Sequence, residues 1–90
     1  MESVQLTYTT KALKELEQLD RSIANRILIK LKENTKLSNP LTRAKALTGD
    51  LAGLYRYRIG DYRVIFSVTS DNKITIHTVI TVKHRKDVYR

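Results

Sequence analysis

Hydrophobic and polar positions change their spacing several times along this chain, and each change marks an element. Val4-Gln5-Leu6-Thr7-Tyr8 alternates and predicts a half-buried strand. Thr9 or Thr10 is placed to cap a helix over Lys11 to Leu19, with Ala12, Leu13, Leu16 and Leu19 on its apolar side; Leu13 and Leu16 are expected in the core. Asp20 can cap a second helix, Arg21 to Thr35, in which Ile23, Ala24, Ile27, Leu28 and Leu31 recur at helical spacing. Lys30, Lys32 and Glu33 fall on its wet side, and Ile29 lies off the stripe as an exposed apolar contact. Leu37-Ser38-Asn39-Pro40 ends this helix, because the residue before a proline is pushed out of helical geometry.

A connector from Leu41 to Gly53 follows, and three strands are expected over about 54–59, 62–69 and 73–81. Ser70-Asp71-Asn72 supplies turn chemistry between the last two, and Val82 to Arg90 remains as a short basic tail. The order is β-α-α-β-β-β. That predicts one α+β domain over residues 1–90, with an N-terminal helical hairpin on one face of a small, largely antiparallel sheet.

The segment Leu54 to Phe66 is the most informative. Gly60-Asp61 separates two alternating runs, and glycine at the first central position suits a tight two-residue turn. That turn pairs Ile59 with Tyr62, Arg58 with Arg63, Tyr57 with Val64 and Arg56 with Ile65. Directly opposed residues share a face, so Arg56, Arg58 and Arg63 converge while Tyr55, Tyr57, Ile59, Tyr62, Val64 and Phe66 face the other way. Like charges opposed across a strand pair weaken a sheet, so the cluster points to an anion site.

Charge sharpens this picture. The chain carries 17 Lys+Arg against 9 Asp+Glu, a net +8, of which residues 1–42 contribute +2 and residues 43–90 contribute +6. The electropositive half is the half that holds the hairpin, as expected for a surface that meets phosphates or an acidic partner. There is no cysteine, which removes disulfides and thiolate metal sites and suits a reducing cytoplasm. The start lacks the layout of a secretory signal, and no apolar run reaches the ~18 residues needed to span a bilayer. A soluble, cytoplasmic protein is expected.

Guanidinium forks match phosphate oxygens and keep their charge, so the three arginines suit a phosphodiester cradle. The bland alternative is a solvated face whose long side chains lie over apolar neighbours such as Ile65. In the tail, Lys83-His84-Arg85-Lys86-Asp87-Val88-Tyr89-Arg90, His84 and Tyr89 are groups that move protons. Nearby cations favour a tyrosine phenolate. An acid and a base beside such a cradle suit RNA cleavage by attack of a 2′-hydroxyl on its own phosphate, chemistry that needs no cofactor or metal. His77 is expected to be structural, on a face that the uncertain loop length leaves open. The tyrosines lie opposite the arginines and are expected in the core rather than as a base-stacking platform.

These segments together resemble the RelE/ParE superfamily of type II toxin–antitoxin toxins. The residues that carry the resemblance are Lys11 to Leu16, Lys45 to Leu51, Leu54 to Phe66 and His84 to Tyr89. It implies a toxin that enters the ribosomal A site and cuts mRNA, leaving a 2′,3′-cyclic phosphate or its opened product. It implies that Arg56, Arg58 and Arg63 stabilise the phosphate and that Tyr89 is the general base. His84 is the first choice for general acid, with Arg85 as supporting cation and Lys83 as an alternative. The implied partner is a RelB-like antitoxin, with the toxin monomeric when free and hetero-oligomeric when neutralised; no membrane is involved. A ParE-like gyrase poison without enzymatic activity, or a degenerate antitoxin-binding protein, is the alternative on the same scaffold.

Overall fold

The computed structural model describes residues 3–70 and 74–88. β1 (Ser3–Tyr8) leads into α1 (Thr10–Glu17) and α2 (Arg21–Thr35). There follow β2 (Ala44–Ala46), a 3-10 turn at Gly49–Leu51, β3 (Tyr55–Ile59), β4 (Tyr62–Ser70), β5 (Ile74–His84) and the short helix α3 (Arg85–Val88). The strands form one sheet in the order β1-β5-β4-β3-β2, antiparallel except where β1 runs parallel to β5. The α+β architecture is the expected one. Its strand list is longer, because β2 lies inside what the sequence suggests is a connector. Ala44-Lys45-Ala46 is too short and too poor in β-branched residues to stand out.

The core lies between the helices and one face of the sheet. Ala12, Leu16, Ile27 and Leu31 meet Tyr57, Ile59, Val64, Phe66, Val79 and Val82, all buried. Phe66 is the centre of an aromatic stack, 4.4 Å from the Tyr57 ring, 5.8 Å from Tyr55 and 5.2 Å from the buried His77. His77 is therefore structural, on the helix side of the sheet. The Tyr57 hydroxyl, pushed up to about 12 by burial, donates to the Pro40 carbonyl at 2.7 Å and ties the connector to the sheet.

α2 has the expected bounds, although the Asp20 side chain makes no cap; its carbonyl accepts the Ala24 amide instead. In α1 the cap is Thr9, whose hydroxyl oxygen accepts from the Ala12 amide and donates to the Ile80 carbonyl at 2.8 Å. Leu13, expected in the core, is 48 % exposed. The inward stripe of α1 is Ala12, Glu15 and Leu16, with Glu15 turned toward β5, and Leu13 lies on the flank of the helix away from Glu15. Ile29 is exposed, as its position off the α2 stripe requires.

Candidate nucleic-acid interface

The hairpin forms in the register that its turn dictates. Ile59 opposes Tyr62, Arg58 opposes Arg63, Tyr57 opposes Val64 and Arg56 opposes Ile65. Gly60 takes a φ of 58°, and no described non-glycine residue has a positive φ, which matches a turn with glycine at its first central position. Arg56, Arg58 and Arg63 therefore share the face of the sheet away from the helices. They differ in exposure: Arg58 is exposed, Arg56 half-buried, and Arg63 only 5 % exposed.

β2 and β5 extend this cationic face on both sides. Lys45 pairs with Arg56 across β2 and β3, and Lys83 pairs with Arg63 across β4 and β5. Arg58, Arg63 and Lys83 thus form one row across three strands. Lys45 is read from the sequence as part of the connector and of the family resemblance but not as a site residue, because the β2–β3 pairing that sets it opposite Arg56 is not visible there. Arg85 completes the group from the start of α3, where its amide donates to the Asp61 carbonyl at 2.7 Å. Arg58, Arg63 and Arg85 line a cavity of about 200 Å³ together with Gly60, Asp61 and Tyr62.

The end of the chain departs from expectation. Val82, Lys83 and His84 belong to β5 rather than to a tail. Ile65 pairs with Thr81 while Phe66 pairs with Val79, so Ile80 is an unpaired extra residue, a β-bulge. Beyond it Lys83 shares the arginine face and His84 does not. His84 opposes Tyr62 on the helix side, with the two rings edge to face at 5.2 Å, and its Nδ1 accepts the Lys86 amide at 3.2 Å. The expected convergence of His84 with the arginines is corrected on this geometry: the imidazole caps α3. Tyr89 lies outside the described residues.

Two carboxylates temper the positive charge. Glu15 accepts from the Val82 amide at 2.9 Å and from the Thr81 hydroxyl at 2.8 Å, and pairs with the Lys83 ammonium at 2.7 Å. Burial opposes its ionisation, but the bonds from Lys83, Val82 and Thr81 outweigh that and hold its carboxyl below the usual value. Asp61 approaches Arg85 Nε at 3.9 Å, with both side chains well exposed. Among the described residues no cluster of three or more His, Asp or Glu side chains is arranged to hold a metal ion. The arrangement can therefore bind and charge-stabilise a phosphodiester through guanidinium and ammonium groups.

Comparison with known proteins shows the family of the chain. A family model described as the ParE toxin of the type II toxin–antitoxin system parDE matches residues 6–89. The chain belongs to this toxin family. Among curated proteins, the ParE-family chain is 30% identical over 83 residues to Toxin RelG of Mycobacterium tuberculosis, covering 92% of each. Among solved structures, the toxin superposes on the toxin–antitoxin complex RelBE2 of Mycobacterium tuberculosis with a TM-score of 0.76 at 24% identity, over 94% of both chains, a likeness of fold. The archaeal RelE–RelB complex from Pyrococcus horikoshii OT3 gives a TM-score of 0.67 at 29% identity, over 92% of this chain and 96% of that one. The expected RelE/ParE superfamily, with its α+β fold, is borne out. No described helix is long and apolar enough to cross a membrane.

Proposed function

We propose that this type II toxin is a metal-independent endoribonuclease that cuts mRNA in the ribosomal A site and is neutralised in the cytoplasm by a RelB-like antitoxin. The cavity lined by Arg58, Arg63 and Arg85, with Lys83 beside Arg63 on the next strand, carries the reading. In the reaction the 2′-oxygen bonds to phosphorus, the bond from phosphorus to the 5′-oxygen breaks, and a 2′,3′-cyclic phosphate and a 5′-hydroxyl result. Arg56, Arg58 and Arg63 hold the non-bridging oxygens as charge grows on them, which is where preorganised donors act most strongly. Arg85 adds a fourth guanidinium. Such groups do not release protons, whereas an ammonium can; of Lys45 and Lys83 on this face, Lys83 stands beside Arg63 and is assigned to protonate the leaving oxygen. Tyr89 takes the proton of the 2′-hydroxyl, a role that rests on the resemblance alone.

A second reading has its own support. The family model is that of a parDE toxin, and a non-enzymatic gyrase poison on the same scaffold has no need of a proton donor beside the arginines. Ribosome-programmed cleavage of mRNA by the purified toxin separates the two. Site-specific cuts that vanish in Arg63→Ala support the nuclease; intact mRNA together with blocked gyrase supercoiling supports the poison.

A further inference from the structure

A second cationic cavity lies around the hairpin edge from the first. β2 covers β3 only at residues 55–57, which leaves the edge at Arg58 and Ile59 open. Over that edge a cavity of about 200 Å³ is lined by Arg26 and Lys30 of α2, Arg43 of the connector and Arg58, with Asn34 at its base. Arg26, Lys30 and Asn34 recur every fourth residue, so α2 presents them along one stripe. The Arg26 guanidinium reaches across to the turn, 3.9 Å from where a Cβ on Gly60 would sit. Arg43 donates to Oδ1 of the buried Asn34 at 3.5 Å, which aims it toward the helix. No carboxylate lines the cavity; Glu33 touches it only through its exposed pair with Lys30 at 3.3 Å.

We infer that this cavity is a second phosphate subsite, which grips the RNA backbone beside the scissile linkage. The continuity of the two cavities selects the ligand. Arg58 lines both, so a phosphodiester on the arginine face has its neighbour directed over the open edge of β3 toward Arg26 and Lys30. Planar guanidiniums from three elements suit phosphate oxygens, whose contacts position a nucleic acid without reading its sequence. The subsite rests on the nuclease reading for its RNA, but its own test does not depend on cleavage.

That test uses two 2′-O-methyl probes, whose blocked nucleophile prevents reaction: a dinucleoside monophosphate and a pentanucleotide. Binding to the purified toxin is followed by fluorescence anisotropy as salt is varied. Arg26→Gln with Lys30→Gln alters exposed positions and keeps good helix formers, and circular dichroism checks that the variant folds. The wild type should bind the pentanucleotide more tightly than the single phosphate. The double variant should lose about tenfold of that advantage, flatten the salt dependence by about one unit of slope, and bind the dinucleotide unchanged. A variant that keeps the full advantage overturns the subsite, as does a wild type with none. If Arg63→Ala alone weakens both probes, the subsite fails and the cleft stands; if Arg63→Ala binds both normally while the double variant does not, the reverse holds. Loss of affinity for a hexaglutamate peptide with RNA binding intact would reassign the cavity to an acidic protein.

Discussion

Arg63 combines near-complete burial with a row of like charges, so solvent screens its guanidinium little against any charge brought beside it. Arg63→Ala should lower single-turnover mRNA cleavage by about 10²–10³-fold, while Arg63→Lys, which keeps charge but loses the fork, should restore only part. His84 makes the opposite case. His84→Ala should destabilise the toxin by roughly 1 kcal/mol through loss of the α3 cap, read by thermal melting, and leave the pH profile of cleavage unchanged. A shifted profile would return the imidazole to the chemistry. Burial lowers the pKa of His77 below its usual value, so its contribution to stability is complete above about pH 6.5 and fades as pH falls through the lower folded value. His77→Phe should remove that acid sensitivity in urea titrations compared between about pH 7 and pH 5. The faces of Arg56, Arg58 and Arg63 were legible in the sequence because Gly60-Asp61 sets the pairing. The burial of Arg63 was not, since exposure depends on what other elements lay over the strand.

At the level of elements, α1 works as the missing neighbour of β5. β1 ends at Tyr8 opposite Val79, and Glu15 takes over as acceptor for the Val82 amide where a strand would have continued. Glu15→Ala strands that buried amide and should cost about 1–3 kcal/mol in chemical denaturation. Because the Glu15 carboxyl is held below its usual value, its share of stability is present above that value and lost as pH falls through the folded one; Glu15→Gln should flatten this loss. The helices, β1 and the hairpin were readable from periodicity and turn residues. β2 was not, because Ala44-Lys45-Ala46 gains its strand geometry from β3 rather than from its own residues. The end of β5 was not either: a run of basic residues looks solvated until the Glu15 anchor and the Arg63 pairing are known.

For the whole molecule, the charge asymmetry between the two halves of the sequence becomes an asymmetry of faces. The cations of β2, β3, β4, β5 and α3 gather on and around one side of the sheet, while the apolar side is closed by the helices. Binding of single-stranded RNA should therefore be steeply salt-dependent. Four phosphate contacts give a slope of about −3 in a plot of log affinity against log salt, measurable with the non-cleavable pentanucleotide. A flat plot would remove the electrostatic basis of the interface. The superfamily was legible because its motif residues fall on the hairpin; which branch of it this toxin serves was not, because nuclease and poison share the scaffold.

Through the bulge at Ile80, β5 contains one residue more than its ladder with β4 consumes. Excision of Ile80 would tidy the strand, sacrifice the bond from Thr9, and leave an ammonium facing Arg63. Excision of Lys83 would slide an imidazole into that same slot. Two single-codon deletions three positions apart thus differ in kind: losing one trims the backbone, losing the other changes which side chain faces Arg63.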